Sequence, residues 1–162
     1  MTETKGYSKA QILLHWAIVL LLIVSYVSSD GMKDAWRAFN KGSEDYANIG
    51  AAIHVRIGIA VLVLALLRLM LRFGRGAPAA PDGGHPVAEL VAKITHLGLY
   101  LLIVLIPAAG LAAWFGGIGD AGEVHEALFN VLVVLVALHV AAALFHQFVL
   151  KDGLMERMRR PG

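Results

Sequence analysis

Val124–Leu150, VHEALFNVLVVLVALHVAAALFHQFVL, is a run of 27 residues in which Glu126 is the only Asp, Glu, Lys or Arg. At 1.5 Å per residue, a helix over this run is about 40 Å long, more than the roughly 30 Å of a bilayer's hydrocarbon layer. It reads as a transmembrane helix. Three further stretches, Ala10–Ser28, Ala51–Leu71 and Ile94–Phe115, are also apolar and long enough to cross. The sequence therefore predicts an all-α membrane protein, a four-transmembrane-helix bundle forming a single domain over residues 1–162.

Composition agrees. Of 162 residues, 58% are hydrophobic and 16% charged, and the mean hydropathy is +0.69. That is too apolar for an ordinary soluble domain, and the lipid bilayer is the expected partner. The absence of cysteine excludes disulfides, thiolate metal sites, iron–sulfur clusters and covalent haem attachment. The net charge of +2 does not imply nucleic acid, because membrane proteins concentrate Lys and Arg on their cytoplasmic side.

Between the spans, Ser29–Gly50 is polar and carries both charge signs, Gly74–Gly84 reads as a Gly/Pro loop, and Gly116–Gly122 reads as a short turn. The basic tail Lys151–Gly162 suits a brief amphipathic helix at the surface. A signal peptide is the competing reading of the N-terminus. The first apolar run exceeds a usual signal core, however, and cleavage would discard His15. Lys5, Lys9, Arg68, Arg72, Arg75, Lys93, Lys151, Arg157, Arg159 and Arg160 fall on one side; Lys33, Arg37, Lys41 and Arg56 fall on the other. Ten against four places both termini in the cytoplasm, with Arg68, Arg72 and Arg75 read as interface anchors in preference to a ligand role.

Six of seven histidines, His15, His54, His96, His125, His139 and His146, lie within or at the end of a span. Ionisable residues in the bilayer are costly and by default mark a functional site facing the bundle interior. His54 and His125 open their spans near the outer surface; His15, His96, His139 and His146 lie in the inner half. His125 and His139 are 14 residues apart, nearly four turns, so they share one face about 21 Å apart along the axis. One helix thus offers ligands at two depths. Zinc would want three or four ligands converging at one depth, and the outer level adds only Glu123 or Glu126 to its two histidines. Haem needs two opposed nitrogens, and Gly58, one turn deeper than His54, would let a flat macrocycle approach the backbone; tight helix packing is the equal alternative for this glycine. A non-haem, histidine-dependent transporter is the lesser alternative, since the spans lack the acidic partners of a proton pathway. Depth alone leaves open whether His139 or His146 serves the inner level.

Gln11-Ile12-Leu13-Leu14-His15-Trp16, Ile53-His54-Val55-Arg56-Ile57-Gly58, His96-Leu97-Gly98-Leu99-Tyr100 with Pro107-Ala108-Ala109-Gly110, and His125-Glu126 with Leu138-His139 through Phe145-His146 and Lys151-Asp152 together resemble the bacterial cytochrome b561 family over nearly the whole chain. That family is similar to the cytochrome b subunits of nickel–iron hydrogenases and formate dehydrogenases. The resemblance implies two haems b, one held by His54 and His125 on the outer side and one by His15 and His139 on the inner side. His146 is then a candidate quinone contact with Trp16 beside it; for both His146 and His96 the plainer reading is an interfacial residue or a partner of a haem propionate. The resemblance further implies a bacterial inner-membrane protein that oxidises superoxide at the periplasmic side and reduces ubiquinone. A cytochrome b anchor subunit, relaying electrons between quinone and a periplasmic dehydrogenase or hydrogenase as donor, is the alternative. If Ser29–Gly50 contains a helix, Lys33, Arg37 and Lys41 form a basic stripe that, with Arg56, would steer a small anion. Asp30, Asp34, Glu44 and Asp45 make the same loop readable as a plain mixed-charge surface.

Overall fold

The computed structural model describes residues 6–78 and 86–162. Its helices are α1 (Lys9–Val27), α2 (Ser29–Asn40), α3 (Ile49–Arg75), α4 (Pro86–Gly116) and α5 (Gly119–Phe145), and α5 runs on through a π turn, His146–Leu150, to a 3-10 turn, Leu154–Met158. Four of these are long and apolar enough to span a membrane: α1, α3, α4, and α5 with its π extension. The fold is thus an all-α bundle with four candidate spans, as the hydropathy predicts.

The helices begin where local chemistry starts them. Ser8 caps α1 reciprocally with Gln11: the Gln11 N–H donates to Ser8 Oγ and the Ser8 N–H to Gln11 Oε1. Asn48 Oδ1 accepts from the Ala51 N–H at the start of α3, and its amide donates to the Gly31 carbonyl. Pro86 occupies the first position of α4, where a missing N–H costs nothing. Two spans outrun the apolar stretches. α3 continues to Arg75, past Gly74, because Arg72 and Arg75 suit a helix C-terminus, and Gly76 stops it with φ of 78°. α4 starts eight residues before Ile94, with Lys93 paired to Glu89 one turn earlier. Of the loop expected at Gly74–Gly84, Gly76–Pro78 is irregular chain and Ala79–Gly84 lies outside the described residues.

The α4–α5 link is only Gly117-Ile118, and these two helices pack most closely; α3 joins α4 on one side and α1 on the other. Ala65, Leu102, Ile103, Ile106 and Leu132 form the core, with Leu22 and Phe129 against it. Close approach depends on small residues: Ala65 is fully buried, and Gly98 sits beneath Leu135. Large apolar side chains face outward instead, Val27 at 75% and Phe73 at 84% exposure, which is favourable only with lipid tails around them.

The polar connection Ser29–Gly50 contains α2, a helix lying against α3. Its Gly31 meets Gly50 backbone to backbone, an approach no side chain on either would permit. Trp36, Phe39, Tyr46 and Trp114 form a linked aromatic cluster that fastens α2 to the end of α4.

Candidate functional site

At the level expected to lie outward, α3 supplies His54 and α5 supplies His125, and their ring centres stand 6.1 Å apart. Both rings are held from behind by backbone. His54 Nδ1–H donates to the Ser25 carbonyl of α1 at 3.1 Å, and His125 Nδ1–H donates to the Ile106 carbonyl of α4 at 2.7 Å. Ser25 Oγ also lies 3.3 Å from His54 Nδ1. A carbonyl can only accept, so with its proton on Nδ1 each ring satisfies its carbonyl and keeps the Nε2 lone pair for a metal. Gly110 makes the second arrangement possible, because a Cβ there would lie 2.9 Å from His125 Nδ1.

Around these rings lies a cavity of about 430 Å³, lined from all five helices by residues including Ser25, Trp36, Gly58, Pro107, Gly110 and Phe129. This volume is in the range of small-molecule and cofactor sites, about 300–1,000 Å³. A Cβ on Gly58 would meet nothing within 4 Å, so this residue leaves the wall open as its place after His54 suggests. Two imidazoles with nitrogens about 2 Å from a shared metal have ring centres roughly 6 Å apart. Spacing, tautomer and space therefore fit a haem with two axial histidines.

The inner level gathers more groups. His139 of α5 meets His96 of α4 edge-to-face, ring centres 5.3 Å apart, and His96 also hydrogen-bonds the Ala92 backbone one turn back. His15 of α1 packs edge-on against Trp16 and lies within electrostatic reach of His139, His96 and Arg68. Three imidazoles thus gather at this level. Arg68 is not a plain interface anchor: it turns into the bundle, donates from Nη1 to the Gln11 carbonyl at 2.7 Å, and lies over the Tyr100 ring. Among the described residues, no group of three or more His, Asp or Glu side chains is arranged to hold a bare metal ion.

Beyond the inner level the tail folds back. His146 Nδ1–H donates to the Asp152 carboxylate at 2.5 Å, and the Trp16 indole N–H donates to the Met158 carbonyl at 3.0 Å. The structure thus ties His146 and Trp16 each to the C-terminal segment. At the His54 and His125 end of the bundle, α2 does carry Lys33 and Arg37 on a helix, but Lys33 pairs with Asp30 and Arg37 with Asp34. Lys33 lines the cavity; Lys41 caps the end of α2, and Arg56, two residues after His54 on α3, is exposed.

Sequence reasoning missed the residues that work through their backbones. The carbonyls of Ser25 and Ile106 carry no side-chain signal. Gly110 did carry one, in the segment Pro107-Ala108-Ala109-Gly110, although the segment did not reveal which ring needed the space.

Membrane helices that hold paired imidazoles across an internal cavity define a membrane b-type cytochrome, an electron-transfer protein. Comparison with known proteins agrees. The chain belongs to the prokaryotic cytochrome b561 family, whose description matches residues 6–161. It is 42% identical to cytochrome b562 of Cereibacter sphaeroides over 99% of both chains. It is 30% identical to the probable superoxide oxidase CybB of Yersinia pestis over 95% of this chain and 96% of that one. With cytochrome b561 homolog 1 of Escherichia coli it shares 28% identity over 94% and 96% of the two chains. Membership implies haem b and a place in a bacterial inner membrane.

Proposed function

We propose that this protein binds two haems b and passes electrons from superoxide at the periplasmic face to ubiquinone near the cytoplasmic face, with both termini cytoplasmic. The observation that carries the reading is the outer pair, His54 and His125, fixed by carbonyls so that both Nε2 atoms are available to one metal. His15 and His139 would hold the inner haem, with His96 beside them. When bound, the haems would supply one-electron transfer, and with two histidines holding each of them the reaction would be electron passage alone.

The chain's own residues do the rest. Lys33 lining the cavity and exposed Arg56 provide positive charge for a small anion, although the Asp30 and Asp34 pairs offset part of it. Two superoxide ions each lose one electron and leave as dioxygen; one ubiquinone gains two electrons and two protons and leaves as ubiquinol. The protons enter from the cytoplasmic side. There, His146 backed by Asp152 can take up a proton and hand it from Nε2 to a reduced quinone oxygen. The name of the Yersinia relative, probable superoxide oxidase, favours this chemistry.

The test is direct. A pyridine haemochrome assay of the purified protein should give two haems b per chain, and a colourless protein would end this reading in favour of a histidine-dependent transporter. Superoxide added to ubiquinone-loaded protein should yield ubiquinol. No reduction above a protein-free control would instead make the chain a relay between quinone and a periplasmic dehydrogenase or hydrogenase.

A further inference from the structure

α3 and α5 are built on the same interval. His54 and His125 face each other at the outer level, and 14 residues further along each helix stand Arg68 and His139. Fourteen residues is close to four whole turns, so Arg68 occupies on α3 the inner counterpart of a haem-ligand position. Its surroundings agree. Arg68 is within electrostatic reach of His15, His96 and His139 together. Its guanidinium is fixed to the Gln11 carbonyl, one turn toward the cytoplasmic end from His15, and covers one face of Tyr100.

A guanidinium stays protonated at all accessible pH values. Within a span such a cation calls for an anion, because an uncompensated charge in a low-dielectric site is costly. Among the described residues no Asp or Glu forms an ion pair with Arg68; its partners are a neutral carbonyl and a neutral ring. The planar fork suits a carboxylate. The peripheral carboxylates of a haem held by His139 are anions of that shape.

We infer that Arg68 is the fixed countercharge of the inner haem site, pairing with a haem carboxylate and raising the inner haem's midpoint potential so that electrons run inward. The inference rests on the two-haem reading above. A reduced haem carries one negative charge more than an oxidised one, so a positive charge held beside it favours the reduced form. Arg68 would keep its proton throughout, and the only change at the site would be the one electron that the outer haem loses and the inner haem gains. The outer level lacks an equivalent: Lys33 there is exposed and paired, and Arg56 faces outward.

The experiment is a potentiometric titration of the purified holoprotein, wild type against Arg68→Gln and Arg68→Lys, with haem content measured in each. Wild type should resolve two midpoints, one of which disappears in His139→Ala. In Arg68→Gln that same midpoint should shift to lower potential while the other stays; in Arg68→Lys, which retains the charge, most of the shift should be absent. Two unmoved midpoints in Arg68→Gln, movement of the other haem, or an equal shift in Arg68→Lys would each overturn the inference. A wild-type protein with fewer than two haems would overturn the two-haem reading and this inference with it. If Arg68→Gln does not accumulate in the membrane, Arg68→Lys decides: a midpoint near wild type supports the charge, and a large fall overturns it.

Discussion

The outer and inner levels of the bundle share two helices and one interval but hold different chemistry. Outside, two imidazoles face each other alone, each locked by a backbone carbonyl. Inside, three imidazoles crowd round an arginine, and His139 touches His96. The first arrangement fixes ligands and little else. The second adds charge and a choice of rings, which on the proposed function would suit a site that holds an electron until a two-electron acceptor can use it.

Removing ligands should break the comparison most sharply. His54→Ala and His125→Ala should each lose the same haem, and His15→Ala and His139→Ala the other, so that haem per chain falls by half in all four. His96→Ala should retain both haems. Loss of a haem in His96→Ala or His146→Ala, with none lost in His15→Ala or His139→Ala respectively, would redraw the inner level. Next in size, Gly110→Ala should disturb only the outer haem, because the new Cβ would lie 2.9 Å from the His125 ring. The α-band of that haem in a low-temperature spectrum reads the effect. Gly98→Ala is the control, since its nearest neighbour is the movable Leu135 Cδ1 at 3.2 Å.

A smaller effect concerns access. Lys33→Gln should slow the reaction with superoxide about threefold in dilute buffer and much less at high salt, as screening shortens the reach of surface charge. A salt-independent loss would show that Lys33 acts on the cavity rather than on the approaching ion. The smallest effect is in the tail. Slight burial pushes the Asp152 carboxyl up, but hydrogen bonds from His146 and the Leu154 N–H outweigh it and hold Asp152 below its ordinary 3.8. A carboxyl depressed in the folded state contributes stability above its unfolded value, and that contribution is lost as pH falls through the folded one. Amide exchange across Leu154–Met158 should therefore quicken below about pH 4, relative to the spans. Asp152→Asn should make the tail exchange faster at neutral pH and remove most of that pH dependence.

Much of this was legible in the sequence, for particular reasons. The four spans stood out because lipid demands long apolar runs, and His54 opposite His125 followed from depth alone. The ends of α3 and α4 did not stand out. Hydropathy marks where a helix leaves hydrocarbon, whereas Arg72, Arg75, Glu89 and Lys93 continue the helix into the interface. Arg68 read as one rung of an anchoring ladder because a cation near a span end has two destinations, outward to the headgroups or inward to a site. Only tertiary placement chooses between them. The choice between His15 and His96 opposite His139 is hidden for a related reason, since α1 and α4 both bring a ring to that depth.

The π turn at His146–Leu150 carries a consequence of another kind. Its closing bond, Lys151 N–H to the His146 carbonyl, spans one residue more than an α turn. Each residue of an α-helix advances the chain by about 100°, so this surplus residue sets the direction in which everything beyond Leu150 departs. Deleting one residue from Gln147–Leu150 would restore a regular helix and swing Leu154–Met158 away from the Trp16 indole, with every side chain in the tail unchanged. The tail is therefore aimed by chain length as well as by the left-handed turns at Lys151 and Gly153, so insertions and deletions at this point are one way evolution could redirect it.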